Sequence, residues 1–141
     1  MSERTGAVTF KGGPLTLVGD AVSAGQPAPA FTLTDNDLSA KSLDDYKGKV
    51  VVMATIPSLD TPVCDTEARR FNEEAGNLGD GVSVLAVSMD LPFAQKRWCG
   101  AAGVDRVETL SDYKDHSFGR SYGLYIKELG LLARAVIVID K

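Results

Sequence analysis

Cys64 and Cys99 are the only cysteines of the 141-residue chain and His116 is its only histidine, so few side chains offer nucleophilic or metal-ligating chemistry. Cys64 has the most suggestive neighbours. Thr61 is a good N-cap residue and Pro62 suits the first helical position, which makes Cys64 the third residue of a helix. Unpaired backbone N–H groups and the positive end of the helix dipole gather there. Both favour a thiolate and lower the thiol pKa from its ordinary value of about 8.5. Asp65 and Glu67, in the same turn, oppose that charge, while Arg69 and Arg70 face either the thiol or solvent. Arg134 lies inside the otherwise apolar segment Ala133–Ile139, and a buried arginine needs a partner such as a thiolate. On residue type and spacing alone, Cys64 reads either as an activated thiol or as buried filler. Pro57 reads as a chain-turning residue, and Cys99, beside Trp98, as filler or as a second reactive thiol.

Several function classes find no support. A closed zinc site takes four ligands, and two cysteines and a histidine at these spacings do not make one. His116, among charged neighbours, reads as a surface residue rather than a catalytic base. The net charge of −4 and pI near 4.9 disfavour nucleic acid and anionic membrane as partners. Neither a G-x-G-x-x-G fingerprint nor a Walker loop is present, so no nucleotide cofactor is expected. The polar N-terminus lacks the apolar core of a signal peptide, and the apolar runs are too short to span a bilayer. A cytoplasmic location follows as the default, where reactive thiols are commoner than structural disulfides.

The elements that must position these residues alternate. Val8–Phe10 and Leu15–Val18 flank a glycine turn and predict a hairpin. Phe31–Thr34 alternates as a short strand, and Val50–Ile56 reads as a strand buried on both faces. Ala68, Phe71, Ala75 and Leu78 recur at helical spacing, with Gly76 and Gly79 at the end. Val82–Val87 is a second buried strand. Asp90-Leu-Pro92 offers the start of a helix that ends at Cys99-Gly100, with Cys99 in its last turn. Val107–Leu110, His116–Tyr122 and Ala133–Ile139 predict a weak strand, a helix and another buried strand. The alternation predicts one α/β domain over residues 1–141, built on a largely parallel sheet. The chain stops just after what reads as a central strand, so it looks short at its C-terminus.

Pro57, Thr61 and Cys64, at intervals of four and three, resemble the proline–threonine–cysteine signature of peroxiredoxins. Ser58-Leu-Asp-Thr61-Pro-Val-Cys64, Asp90-Leu-Pro-Phe-Ala-Gln-Lys-Arg-Trp-Cys99-Gly and Ala133-Arg134-Ala135 are similar, in order and spacing, to the bacterial thiol peroxidase subfamily with two cysteines in one subunit. The resemblance covers essentially the whole chain. It implies a thioredoxin-like fold with an N-terminal β-hairpin, here without the last strand and C-terminal helix. It also implies a peroxidase for hydrogen peroxide and organic hydroperoxides, with no cofactor or metal. Cys64 would be the peroxidatic thiol and Cys99 the resolving thiol that forms an intramolecular disulfide with it. Thr61 Oγ, the Cys64 N–H and Arg134 would stabilise the reacting oxygens, and Pro57 would shield the thiolate. Thioredoxin would be the reductant and a homodimer the assembly. A disulfide needs Cα atoms within about 7 Å, which two separate helices do not offer, so local unwinding at both cysteines is expected. The alternative, drawn from the early C-terminus, is a non-catalytic thioredoxin-like module for redox sensing or chaperone-like binding.

Overall fold

The computed structural model describes residues 3–10, 12–60, 62–75, 78, 81–103 and 106–140, with the backbone alone at 10, 62–65 and 67. In chain order it forms β1 (Glu3–Phe10), β2 (Gly13–Val18), β3 (Thr32–Thr34), β4 (Ala40–Ser42), a 3-10 turn at Leu43–Tyr46 and β5 (Val50–Thr55). Then come α1 (Pro62–Ala75), β6 (Val82–Ser88), α2 (Pro92–Ala102), β7 (Glu108–Ser111), α3 (Ser117–Ser121), β8 (Tyr125–Ile126), β9 (Leu131–Leu132) and β10 (Ala135–Ile139).

The main sheet runs β10-β5-β6-β7-β3-β4. β5 and β6 are parallel from Val50↔Val82 to Thr55↔Val87, and β7 continues parallel to β6. α1 and α2 supply the two crossovers that parallel neighbours require. The expectation of a largely parallel sheet is corrected at both flanks, where β10 pairs antiparallel with β5, and β3 antiparallel with β7 and β4. From β7 the chain returns through the short α3 and the β8–β9 hairpin, so β10 enters the sheet in the opposite sense.

Strand alternation sorts the apolar side chains into two layers. Val51, Met53, Leu85, Val87 and Leu110 point to one face, where Phe31, Phe118 and Tyr122 pack edge-on and stacked at centroid distances of 4.5–6.4 Å. Val52, Val84 and Ala86 point to the other, against Phe71 and Ala75 of α1 and Trp98, Cys99 and Ala102 of α2. Trp98 also touches the cluster of Ile56, Leu59 and Ala68, so one indole bridges the two cysteine-bearing helices.

The N-terminal hairpin forms as the sequence predicts, and β2 joins β8 and β9 in a small second sheet. Its exit is fixed by two glycines. Gly19 (φ 99°) and Gly123 (φ 68°) cross so closely that a Cβ would stand 2.1 Å from the Arg120 carbonyl oxygen and 2.4 Å from that of Asp20. No other residue type fits there.

Two further readings are corrected. α2 does not stop at Gly100. It runs to Ala102, and Gly103, at φ 68°, is the left-handed cap whose N–H bonds the Cys99 carbonyl. β10 is not buried on both faces either. Among the described residues it is an edge strand, with Val136 and Val138 53% and 65% exposed while Ile137 and Ile139 face the core. The helix-ending role given to Gly76 and Gly79 lies outside the described residues.

Candidate active site

β5 delivers the chain to the site. Its ladder extends one residue, with the Ile56 N–H donating to the Val87 carbonyl at 3.0 Å, and half-buried Pro57 then turns the chain off the sheet. Pro62 opens α1, so Cys64 is the third residue of that helix, as its sequence context predicts. The backbone thus places Cys64 in a helix's first turn, at the carboxyl end of a central parallel strand. Ligands of open α/β sheets gather at such ends. Thr61 and the Cys64 side chain lie outside the described residues.

Arg134 is brought to the same end of the sheet. The antiparallel register pairs Ala135 with Thr55, and the Thr55 hydroxyl donates to the Ala133 carbonyl at 2.7 Å. That buried bond fixes the backbone on the N-terminal side of Arg134. The arginine itself is exposed, not buried as its apolar setting suggested. β10 lies at an edge, so a residue just before it is not enclosed.

Cys99 sits in the last turn of α2, half-buried against Val84, Ala86 and Val107, and is a free thiol. Its Sγ lies 3.5 Å from the Thr109 hydroxyl, whose own proton goes to Asn36 Oδ1 at 3.0 Å. With that proton committed, the thiol is the donor of the pair. Asp35, Asp37 and Glu108 rim the open cleft of about 220 Å³ beside it.

The sequence reading missed the group that ties these parts together. Asp90 was assigned to the start of α2, but the N-cap is Leu91, with no side-chain cap. The Asp90 carboxylate instead reaches back to the loop between Pro57 and α1. Oδ1 accepts from the Ser58 hydroxyl, and Oδ2 from the Leu59 N–H and the Ser88 hydroxyl, each at 2.8 Å. The Ser58 hydroxyl in turn accepts the Asp60 N–H at 3.1 Å. Fully buried Gln95 donates its amide to Ser88 Oγ at 3.0 Å and to the Leu110 carbonyl at 2.9 Å. Polar residues directly after apolar strand runs, Ser58, Ser88 and Asp90, were the available signal.

One residue beyond β7, Asp112 is 2% exposed and accepts the N–H groups of Phe118 and Gly119 at 3.1 and 2.8 Å. Burial pushes its carboxyl up to about 6, against the opposing pull of those two donors. His116 is half-buried rather than at the surface. Its Nδ1 lies 3.3 Å from Met89 Sδ, and its ring lies 5.2 Å from that of Tyr125. Among the described residues, no group of three or more His, Cys, Asp or Glu could hold a metal. No helix there is long and apolar enough to cross a membrane.

A parallel β5-β6-β7 core, an antiparallel strand beside β5 and a helix springing from the carboxyl end of β5 define a thioredoxin-like α/β protein of the peroxiredoxin type. Residues 24–141 match the AhpC/TSA family. The thiol peroxidase of Bacillus subtilis (strain 168) is 62% identical over 134 residues, covering 95% of this chain and 80% of that relative. That of Streptococcus pneumoniae (strain ATCC BAA-255 / R6) is 57% identical over 133 residues, covering 94% and 81%. The crystal structure of a peroxiredoxin-like protein from Aquifex aeolicus matches with a TM-score of 0.87 at 44% identity, covering 97% of this chain and 80% of that one. The thiol peroxidase from Chromobacterium violaceum shares the fold at a TM-score of 0.77 and 22% identity, over 89% of this chain and 74% of that one. The chain belongs to the AhpC/TSA family, among its bacterial thiol peroxidases.

Proposed function

We propose that Cys64 is the peroxide-reactive nucleophile of this thiol-dependent peroxidase and that Cys99 resolves its oxidised form. The observation that carries the reading is the place of Cys64, third in α1 at the carboxyl end of β5, with Arg134 entering at the same end through the Ala135↔Thr55 pairing. The Cys64 thiolate attacks the terminal oxygen of a hydroperoxide. An S–O bond forms, the O–O bond breaks, and its electron pair leaves on the other peroxide oxygen, which takes a proton to become water or an alcohol. The Thr61 hydroxyl and Cys64 N–H hold the reacting atoms. The Arg134 guanidinium stabilises charge on the leaving oxygen, as donors in an oxyanion hole do. Pro57 keeps water from the thiolate.

Cys99 then attacks the sulfenic sulfur, forming the Cys64–Cys99 disulfide and releasing water. A dithiol protein of the thioredoxin class returns both thiols, and its own disulfide is the oxidised product. The free, half-buried Cys99 thiol at a helix end supports this role, since helix ends fray readily. We further propose a cytoplasmic homodimer that favours alkyl hydroperoxides. A non-catalytic thioredoxin-like module is not favoured, because the relatives at 57–62% identity are themselves thiol peroxidases.

The test mixes the protein with stoichiometric hydrogen peroxide or cumene hydroperoxide and follows free thiols and Trp98 fluorescence. Wild type should lose two thiols rapidly, Cys99→Ser should stop at a trappable sulfenic acid, and Cys64→Ser should be inert. Peroxide consumption by Cys64→Ser at the wild-type rate would refute the reading.

A further inference from the structure

The loop from Pro57 to Asp60 is the only covalent lead into α1, so whatever holds it fixes where that helix begins. Two of its hydrogen bonds end on one residue from another part of the chain. Asp90 takes the Ser58 hydroxyl on one carboxylate oxygen and the Leu59 N–H with the Ser88 hydroxyl on the other. The same residue stands two positions before Pro92, where α2, the helix that carries Cys99, begins. Its own carbonyl accepts the Ser111 hydroxyl, which ties the assembly to the end of β7.

We propose that Asp90 is a positioning residue that latches the Pro57–Asp60 loop to the base of the Cys99 helix, and that its release governs how readily Cys64 moves to meet Cys99. The latch, which rests on the pairing of Cys64 with Cys99 proposed above, acts in opposite directions on two steps. Closed, it holds the first turn of α1 in the geometry that peroxide attack needs. Open, it frees that turn for disulfide formation. The carboxylate is essential to this double role because its three donors need an acceptor-only group with two oxygens. An amide of the same shape offers one oxygen and turns an NH2 toward a hydrogen-bond donor. Water can replace what is lost, since Asp90 and Ser58 are only half-buried, so the loop can leave the carboxylate without stranding a charge.

The experiment is stopped-flow oxidation of the full chain by hydrogen peroxide, read by Trp98 fluorescence and thiol counting, with the pH profile of the first step recorded from pH 5 to 9. Asp90→Asn should oxidise at Cys64 about tenfold more slowly, the scale of one charge-assisted hydrogen bond. The midpoint of its pH profile should move, because the first turn of α1 no longer holds the thiolate in place. Its sulfenic acid should convert to the disulfide severalfold faster than in wild type. A higher peroxide concentration should therefore be needed to drive Cys64 on to the irreversible sulfinic acid. Ser58→Ala removes one of the three bonds to the carboxylate, together with the Asp60 N–H bond inside the loop, and leaves the carboxylate in place. It should show the same opposed shifts at smaller size, and it carries the test alone if Asp90→Asn does not fold.

A destabilised fold without a latch would not separate the two steps. Both variants matching wild type, or both steps changing in the same direction, would overturn the latch. Cys64→Ser is run beside them. If it is inert while the Asp90 and Ser58 variants behave as wild type, the latch alone fails. If it still consumes peroxide, the cysteine pairing fails first and the latch with it.

Discussion

Asp90 and Asp112 stand just beyond the carboxyl ends of β6 and β7, neighbouring parallel strands whose last residues, Ser88 and Ser111, are register partners. Each carboxylate catches donors of another segment, yet their settings differ. Asp112 is 2% exposed and holds the backbone N–H groups of Phe118 and Gly119, at the start of α3. Leu132, Tyr125 and the Asp112 carboxylate close around Gly119, so tightly that a Cβ there would stand 2.7 Å from Leu132. Asp90 is half-buried, and the Ser58 hydroxyl, one of its three donors, belongs to a half-buried residue and can turn to water. The same chemistry serves as a fixed anchor where water is excluded and as a releasable one where water can enter. The releasable one faces the loop that leads to Cys64.

The largest expected effect falls on the fixed anchor. Asp112→Ala strands two buried N–H groups and should cost about 3 kcal/mol, lowering Tm by roughly 10 °C. Oxidation of Cys64 at 25 °C should stay within about twofold of wild type, because the donors that the Asp112 carboxylate holds belong to α3 and not to the Pro57–Asp60 loop. A large loss of rate at unchanged Tm would erase the distinction between the two aspartates.

Titration of Asp112 comes next. Its carboxyl is raised from 3.8 to about 6, mainly by burial, so the folded state binds this proton more tightly than the unfolded chain does. The resulting stability is fully present below about pH 4 and is lost as pH rises through 6, an effect of at most about 3 kcal/mol. Asp112→Asn carries no such proton. The Tm difference between wild type and this variant should therefore shift against wild type between pH 4 and 6.5 and level off above. A difference independent of pH would show that the carboxyl titrates normally.

For Asp90→Asn the order of effects reverses. We expect a stability loss of about 1–2 kcal/mol, read from urea denaturation, with its principal consequence in the two opposed redox steps. A Tm loss as large as that of Asp112→Ala would place Asp90 among the fixed anchors.

The contrast also marks what could be read from the sequence. Val50–Ile56 and Val82–Val87 were legible as strands because short, valine-rich and mostly apolar runs leave little choice. The first turn of α1 was legible because its signal, Thr61 followed by Pro62, is local. β8 and β9, two residues each, are too short for any period to emerge. The Ala133–Ile139 run could not say whether it lay inside a sheet or at its edge, and so misjudged the burial of Arg134. Asp90 was misread for a related reason. Beside Pro92 it matches a helix-start pattern, while its true partners, Ser58 and Leu59, are 32 and 31 residues away. Only the register of β5 beside β6 brings them within reach.

The smallest effect tests the other cysteine. Cys99 is held by Thr109, whose hydroxyl accepts from the thiol and donates to Asn36. Thr109→Val keeps the shape, removes both bonds and leaves Asn36 half-exposed to water, so about 1 kcal/mol should be lost. If the end of α2 is the looser partner in disulfide formation, releasing Cys99 should speed that step by no more than two- to threefold. The Asp90 latch would still limit how fast the Cys64 helix opens. The double variant Asp90→Asn/Thr109→Val then decides the order of events. With the latch removed, freeing Cys99 should matter more, and the two rate gains should multiply to more than their separate product. Simple multiplication would mean that the two helix ends open independently.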